Sequence, residues 1–200
     1  CSFLVSGAYT YSKHITPTQY NTNTMTNGPL PQRGSELLKA SKFLHLATCS
    51  NDVPHVSLMN FTFIEPSQQD CALLQSNKNM LLVATPKDTK KFQNLQKNDK
   101  VSILIHDWVT SASPAGGDVL KLLQSINQTE VGDLSITLDG RAVKYLLDNK
   151  SEEYTFFKDL HLKKNPDAKA FVEGDNVALI LIQIEESKVS DSHNNVENFK

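Results

Sequence analysis

Short runs of β-branched and aromatic residues, separated by turn-forming residues, recur along most of this chain and constrain its fold more than any other feature. Alternation of apolar and polar residues indicates strands, and Leu134, Ile136 and Leu138 alternate in this way with Ser135 and Thr137. The run at residues 177–182 is almost continuously apolar, which is typical of a central strand buried on both faces. Strands are predicted at residues 43–49, 54–64, 73–75, 80–85, 101–106, 134–138 and 177–182.

The helices that the sequence predicts are short and lie between strands. They are expected at residues 35–41, after an N-cap at Asp88 or Thr89, after Asp118 and after Ser151. The second is about two to three turns long, and the fourth carries Tyr154, Phe157 and His161 on one side. The resulting fold class is α+β and mainly β, with helices at the periphery.

The domain organisation follows from where polar, turn-rich composition replaces apolar periodicity. Residues 1–34 are predicted to form an extended N-terminal arm, because they are rich in Ser, Thr, Asn, Pro and Gly and lack an apolar period. Residues 35–190 are predicted to form one domain, with a helical insertion near 110–132 that we expect to cover one end of it. Residues 191–200 form a polar tail that we expect to be loose.

Charge and hydropathy exclude several classes of partner. Twenty basic and twenty-two acidic residues give a formal charge of -2, which does not provide the positive field that nucleic-acid binding requires. No stretch approaches the roughly 18 to 20 apolar residues of a membrane span, and no positively charged leader begins the chain. We expect a soluble cytoplasmic protein without nucleic-acid or membrane partners.

Cysteines and histidines do not form a recognisable metal or disulfide pattern. Cys1, Cys49 and Cys71 are odd in number, widely spaced and without a C-x-x-C pair, which argues against a disulfide framework and a zinc site. His45, His55 and His106 fall on separate predicted strands without metal-ligand spacing. We predict no metal site.

A basic pair at the predicted start of the second helix indicates a site. Lys90 and Lys91 follow Thr89, at the end of a helix where cations are unfavourable by roughly 0.3 to 1 kcal/mol. A bound phosphate would remove this penalty, with the hydroxyls of Thr85 and Thr89 as additional donors. The alternative is a solvated basic turn without a ligand.

The order of these motifs resembles the FMN-binding split barrels of the pyridoxamine 5'-phosphate oxidase superfamily. The resemblance covers roughly residues 35–145 and includes the strand at 54–64, Thr85, Thr89-Lys90-Lys91 and the strand at 101–106. It implies an antiparallel split β-barrel of about six to seven strands. It also implies that Thr89, Lys90 and Lys91 hold the FMN phosphate and that Thr85 lies near the cofactor.

The same resemblance assigns further cofactor residues. The family's second strand lies along the flavin and implies contacts from Ser57 and Asn60, although His55 and Asn60 stand where basic residues are common. Ser135 matches a position that reaches the flavin from the other subunit. On its own, Ser135 is equally well explained as an outward polar residue of an alternating strand.

The resemblance implies a homodimer with FMN at the subunit interface and a small-molecule substrate. The family's substrate-binding C-terminal motif, with a Trp and a late Arg followed by Leu and Pro, is missing. We therefore expect an FMN-dependent oxidoreductase of unknown substrate that does not oxidise pyridoxamine phosphate efficiently. No catalytic residue is assigned. The alternative is a non-catalytic module that binds FMN or pyridoxal phosphate for sensing or storage.

Overall fold

A computed structural model describes residues 28–66, 77–106, 134–191 and 193–200 of the chain. The strands are β1 (Phe43–Ser50), β2 (Val53–Ile64), β3 (Met80–Pro86), β4 (Lys100–His106), β5 (Leu134–Leu146), β6 (Val177–Asp191) and β7 (Val196–Phe199). The helices are α1 (Gln32–Ala40), α2 (Lys90–Leu95), α3 (Glu152–Lys164) and α4 (Lys169–Val172), and a 3₁₀ turn spans Pro166–Ala168.

Six antiparallel strands close into a barrel. Their order is β3-β2-β1-β4-β5-β6, and β3 pairs with β6 from Met80 opposite Gln183 to Pro86 opposite Val177. The seventh strand, β7, pairs with the end of β6 outside this circuit. The structure confirms the predicted mainly β, antiparallel barrel with peripheral helices.

Side-chain alternation on the strands produces two apolar clusters. The barrel interior takes one face of each strand, and Leu44, Phe61 and Ile180 are examples of its fully buried members. The opposite face of β3 and β6 packs under α3 and α4, where Leu82 and Leu179 are fully buried. Strand β6 contributes to both clusters, which explains its nearly continuous apolar sequence.

Two local backbone features shape the strands. Asn51 and Asp52 both have positive φ, at 52° and 60°, which is the conformation of a two-residue hairpin turn between β1 and β2. Gly140 lies at an irregularity in the β5–β6 pairing, where an added Cβ would meet the Gln183 carbonyl oxygen at 2.4 Å. Only glycine fits at this position.

The structure differs from the sequence-based prediction at several elements. Strands β5 and β6 extend to Leu146 and Asp191, beyond their predicted ends at 138 and 182, and α4 was not predicted. Helix α1 begins at Gln32, earlier than predicted, and α2 has six residues, which is less than the predicted two to three turns. The expectation of a loose C-terminal tail is wrong for β7, because Phe199 is buried against the barrel core.

Several predictions concern residues outside the described ranges. They are most of the N-terminal arm, the strand at 73–75 and the insertion at 110–132 with its helix. In the part of the chain that the structure describes, no helix has the length and apolarity needed to cross a membrane.

Candidate functional site

The turn between β3 and α2 is fixed by threonine hydroxyls. Thr89 is the N-cap of α2, and its hydroxyl accepts a hydrogen bond from the Phe92 N–H at 3.4 Å and donates to the Pro86 carbonyl at 2.8 Å. The Thr85 hydroxyl lies 3.0 Å from that of Thr89. These contacts confirm the predicted cap, and the Thr89 proton is used within the turn. Direct donation by Thr85 to a phosphate stays a prediction, and donation by Thr89 would require its hydrogen bond to the Pro86 carbonyl to break.

The two lysines at the start of α2 have different surroundings. Lys90 is exposed to solvent, whereas Lys91 is half-buried and lines a groove. Burial lowers the pKa of the Lys91 ammonium group, because desolvation disfavours its charged form. Within the described residues, Lys91 has neither an ion pair nor a hydrogen bond. Lys91 is thus a partly desolvated cation without a counter-ion from the described residues.

The groove that contains Lys91 has a volume of about 340 Å³, which is within the range of small-molecule sites. It lies over the outer face of β2 and β3, next to α4. Its walls are mainly apolar and include Phe43, Leu58, Met59, Ala84, Phe171 and Val172. Its polar side chains are Asn60, Thr85, Lys91 and His161. A cation beside an extended apolar surface suits a ligand with an anionic group and a flat apolar part.

Of the two predicted cofactor residues on β2, only Asn60 lines this groove. Asn60 lies on the outer face of the barrel, opposite Phe43 of β1, and its amide donates to the Lys42 carbonyl at 3.4 Å. Ser57 lies on the other face, where its hydroxyl is 3.0 Å from Nε2 of His55. Successive residues of a strand point to opposite faces, so Asn60 and Ser57 cannot line the same surface of the strand.

Ser135 is distant from the groove within one copy of the chain. It lies on the outer face of β5, opposite His106 of β4, and donates to the Ser190 carbonyl at 3.5 Å. Strands β4 and β1 separate β5 from β2, and three strand spacings amount to about 14 Å. Of the predicted site residues, the groove is therefore lined by Asn60, Thr85 and Lys91 but not by Ser57, Thr89, Lys90 or Ser135.

His161 is a polar wall residue of the groove that the sequence-based prediction did not assign to the site. It lies on α3, is 1% exposed, and its Nδ1 is 3.0 Å from the Thr62 hydroxyl. Burial lowers its pKa to about 4, so its imidazole is neutral at neutral pH. The spacing of Tyr154, Phe157 and His161 predicted a buried side of the helix. This pattern does not indicate that His161 also lines a groove.

A second cavity lies at the other end of α2. It has a volume of about 570 Å³ and is lined by residues 95–99, Ala142 and Tyr145. Two of its polar side chains already have partners, since Tyr145 donates to the Leu95 carbonyl at 2.9 Å and Asp99 pairs with Arg141 at 2.8 Å. None of the predicted site residues lines it, which makes the Lys91 groove the candidate site.

A family profile and a curated relative that match this sequence carry the same description. Residues 30–188 match the sequence profile of the family described as pyridoxamine 5'-phosphate oxidase. A pyridoxamine 5'-phosphate oxidase homolog of Saccharomyces cerevisiae is 33% identical over 187 residues, which cover 82% of this chain and 92% of the relative.

Two solved structures share the fold at low identity. A FAD-binding protein from Mesorhizobium loti has a TM-score of 0.52 and 14% identity, over 78% of this chain and 89% of its own. A heme-binding protein from Mycobacterium smegmatis has a TM-score of 0.52 and 14% identity over 82% of this chain, which spans 56% of that protein's length. Such likeness shows the common fold alone.

Proposed function

This chain belongs to the pyridoxamine 5'-phosphate oxidase family, and on that premise we propose that it binds FMN in the Lys91 groove. In this proposal Lys91 contacts the phosphate, and Asn60 and Thr85 lie along the rest of the cofactor. Lys90 adds a second positive charge from the solvent side, and Thr89 holds the turn that presents both lysines. FMN would supply hydride and electron transfer, while the protein positions it.

The observation that carries the proposal is the state of Lys91. A half-buried lysine without a counter-ion from the described residues is unfavourable, because its desolvation is not offset by a charge-assisted hydrogen bond. A phosphate would provide that bond and stabilise the charged form of the lysine. Helix α2 has only six residues, so its dipole adds little and the lysine side chain is the main source of attraction.

The rest of the groove also fits a flavin mononucleotide. Phe43, Leu58 and Phe171 are 44%, 62% and 66% exposed, and all three line the groove. Covering such side chains with a flat aromatic ring would bury apolar surface that is otherwise in contact with water. Asn60 offers a polar side chain for the hydroxyl-bearing part of the cofactor.

The fold neighbours name two kinds of ligand. One is described as FAD-binding and the other as heme-binding. Both ligands carry anionic groups that a lysine can bind, so the titration described below includes heme as a competitor. The family to which the chain belongs favours a flavin with a single phosphate group.

We also propose that the protein is a homodimer, because one outer surface of the barrel is apolar and exposed. Phe43, Val56, Leu58 and Leu104 on β1, β2 and β4 form this surface, which we name the apolar face. His45 of β1 lies between Leu58 and Leu104 in register, so the apolar face spans three adjacent strands with a histidine ring within it. Exposed apolar patches of this kind mark interaction surfaces.

A two-fold contact through the apolar face would complete the cofactor site. It would cover the exposed side of a flavin in the groove, since Phe43 and Leu58 belong to both surfaces. Ser135 lies on the same outer surface, on the strand next to β4. In a dimer, Ser135 of the partner subunit would be the residue that contacts the flavin.

Titration of the purified protein with FMN, followed by flavin fluorescence, tests the proposal. We expect saturable quenching, and heme or pyridoxal phosphate should compete poorly. Protein that cannot be loaded with FMN would contradict the proposal. Bleaching of the bound flavin by NAD(P)H and recovery in air would support an oxidoreductase, whereas a flavin that NAD(P)H does not reduce favours a non-catalytic binding module.

A further inference from the structure

A buried hydrogen-bond network connects the wall of the groove to α3 and β2. The Asn165 amide nitrogen lies 2.9 and 3.3 Å from the carbonyl oxygens of Phe61 and His161 and 3.3 Å from the Thr62 hydroxyl, so its two hydrogens are shared among three acceptors. Carbonyl oxygens only accept, so these contacts fix which end of the amide faces them. The Thr62 hydroxyl is in turn 3.0 Å from Nδ1 of His161.

This network favours one position for the imidazole proton of His161. Either Thr62 Oγ1 or Nδ1 of His161 could donate in the hydrogen bond between them, and we infer that Thr62 donates, because its oxygen is already within reach of the Asn165 amide donor. A neutral imidazole that accepts at Nδ1 carries its proton on Nε2. Burial lowers the pKa of His161 to about 4, which agrees with a neutral ring.

His161 lines the groove, and its Nδ1 faces Thr62 of β2 at 3.0 Å. Because the two ring nitrogens lie on different sides of the imidazole, we infer that Nε2, which has no hydrogen-bond partner among the described residues, is directed to the groove. An otherwise buried N–H donor thus faces the proposed ligand site without a partner.

We propose that His161 recognises the ligand of this groove as a neutral donor, through a hydrogen bond from Nε2–H to an uncharged acceptor such as a carbonyl, a hydroxyl or a ring nitrogen. This inference rests on the proposed FMN site. Lys91 selects the anionic end of the ligand, and His161 selects a neutral polar group elsewhere on it. Thr62 and Asn165 are positioning residues that hold the imidazole in its Nε2–H form.

Flavin binding by two variants separates this role from a packing role. His161→Phe keeps a ring of similar size and removes the donor, whereas His161→Gln keeps an N–H near the position of Nε2. We expect His161→Phe to weaken FMN and riboflavin equally, by about threefold to tenfold, because both flavins share the uncharged acceptors. His161→Gln should retain affinity within about twofold of the wild type. The matched control is His193→Gln in the exposed loop before β7.

Nitrogen NMR of the histidine rings in the unsubstituted protein provides a readout that does not depend on a folded variant. We expect an Nε2–H signal for His161, assigned by its loss in His161→Gln, that shifts on addition of FMN. A proton on Nδ1 would overturn the inference. It would also be overturned if FMN did not shift the His161 signal and His161→Phe bound flavins as tightly as the wild type. Failure of the unsubstituted protein to bind FMN would instead overturn the proposed function.

Discussion

His161 makes the stability of the protein dependent on pH at the scale of a single side chain. Its pKa is about 4 in the folded protein and near 6.5 when unfolded, so the unfolded chain binds more protons between these values. The contribution of His161 to the unfolding free energy is therefore fully present above about pH 6.5 and decreases as the pH falls towards 4. The contribution lost between about pH 7.5 and pH 5 is about 2 kcal/mol.

Urea denaturation at these two pH values checks this prediction. In His161→Gln, which has no titrating group at this position, the difference in unfolding free energy between the two pH values should be smaller than in the wild type by that amount. The remaining pH dependence comes from other titrating groups and is common to both proteins. An identical pH dependence in the two proteins would show that His161 is not buried in its neutral form.

Single residues also show how far a sequence can define the site. Placing Lys90 and Lys91 at a helix start required only capping rules, but the difference in their burial depends on β2 and α4, which are distant in sequence. The opposite directions of Ser57 and Asn60 follow from strand alternation, so this separation was predictable from their spacing. His161 matched a core pattern, and only the tertiary structure shows that a groove reaches it.

At the scale of secondary-structure elements, the pairing of β5 with β6 depends on Gly140. A Cβ at this position would be 2.4 Å from the Gln183 carbonyl oxygen, which belongs to the backbone and cannot rotate away. We expect Gly140→Ala to lower the unfolding free energy by about 1 to 3 kcal/mol or more, through displacement of the strands. Asp139→Ala, at the exposed neighbouring position, should change it by less than about 0.5 kcal/mol.

Denaturant titration of both variants measures this difference. Equal stabilities for Gly140→Ala and Asp139→Ala would show that β5 and β6 are not as close at this irregularity as the structure indicates. Strand β5 is paired on both sides within the closed barrel, so the extra methyl group can be accommodated only if paired strands are displaced.

Elements with strong local patterns were predicted well, and elements defined by tertiary contact were not. The strands of the barrel alternate or are fully apolar at the predicted positions, whereas the C-terminal parts of β5 and β6 lack such a pattern and were not predicted. Strand β7 is short and mostly polar, and it exists because Phe199 packs into the barrel core. The length of α2 was overestimated, because the local sequence pattern does not specify the residue at which the helix ends.

At the scale of the whole molecule, the apolar face predicts a dimer. Val56 is 62% exposed on this face and does not line the groove, so Val56→Asp should disrupt self-association without altering the cofactor contacts of one subunit. Burying a carboxylate in an apolar contact is strongly unfavourable. Leu147→Asp introduces the same charge at an exposed apolar position between β5 and α3 and serves as the control.

Sedimentation velocity measures the oligomeric state of both variants. We expect a dimer for the wild type and for Leu147→Asp, and a monomer for Val56→Asp with weaker flavin binding. A wild-type monomer, or a dimer that Val56→Asp leaves intact, would contradict an interface at the apolar face.

Closure of the barrel is the feature of the whole molecule that required the structure. The β3–β6 pairing joins residues about a hundred positions apart, and no local pattern specifies which strands pair over such a distance. The predicted barrel came from a resemblance to a family rather than from the strands themselves. The groove depends on this closure, because the helices that form its wall pack over β3 and β6.

The central claim is that Lys91 binds a flavin phosphate, and a comparison of FMN with riboflavin tests it most directly. Riboflavin lacks the phosphate, so the affinity ratio of the two flavins isolates that group. We predict that Lys91→Ala reduces the preference for FMN over riboflavin by about 1.5 to 3 kcal/mol and leaves the riboflavin affinity unchanged. Lys97→Ala, just beyond the opposite end of α2, is the control and should have a smaller effect on this preference. The same FMN preference in Lys91→Ala and in the wild type would contradict the account.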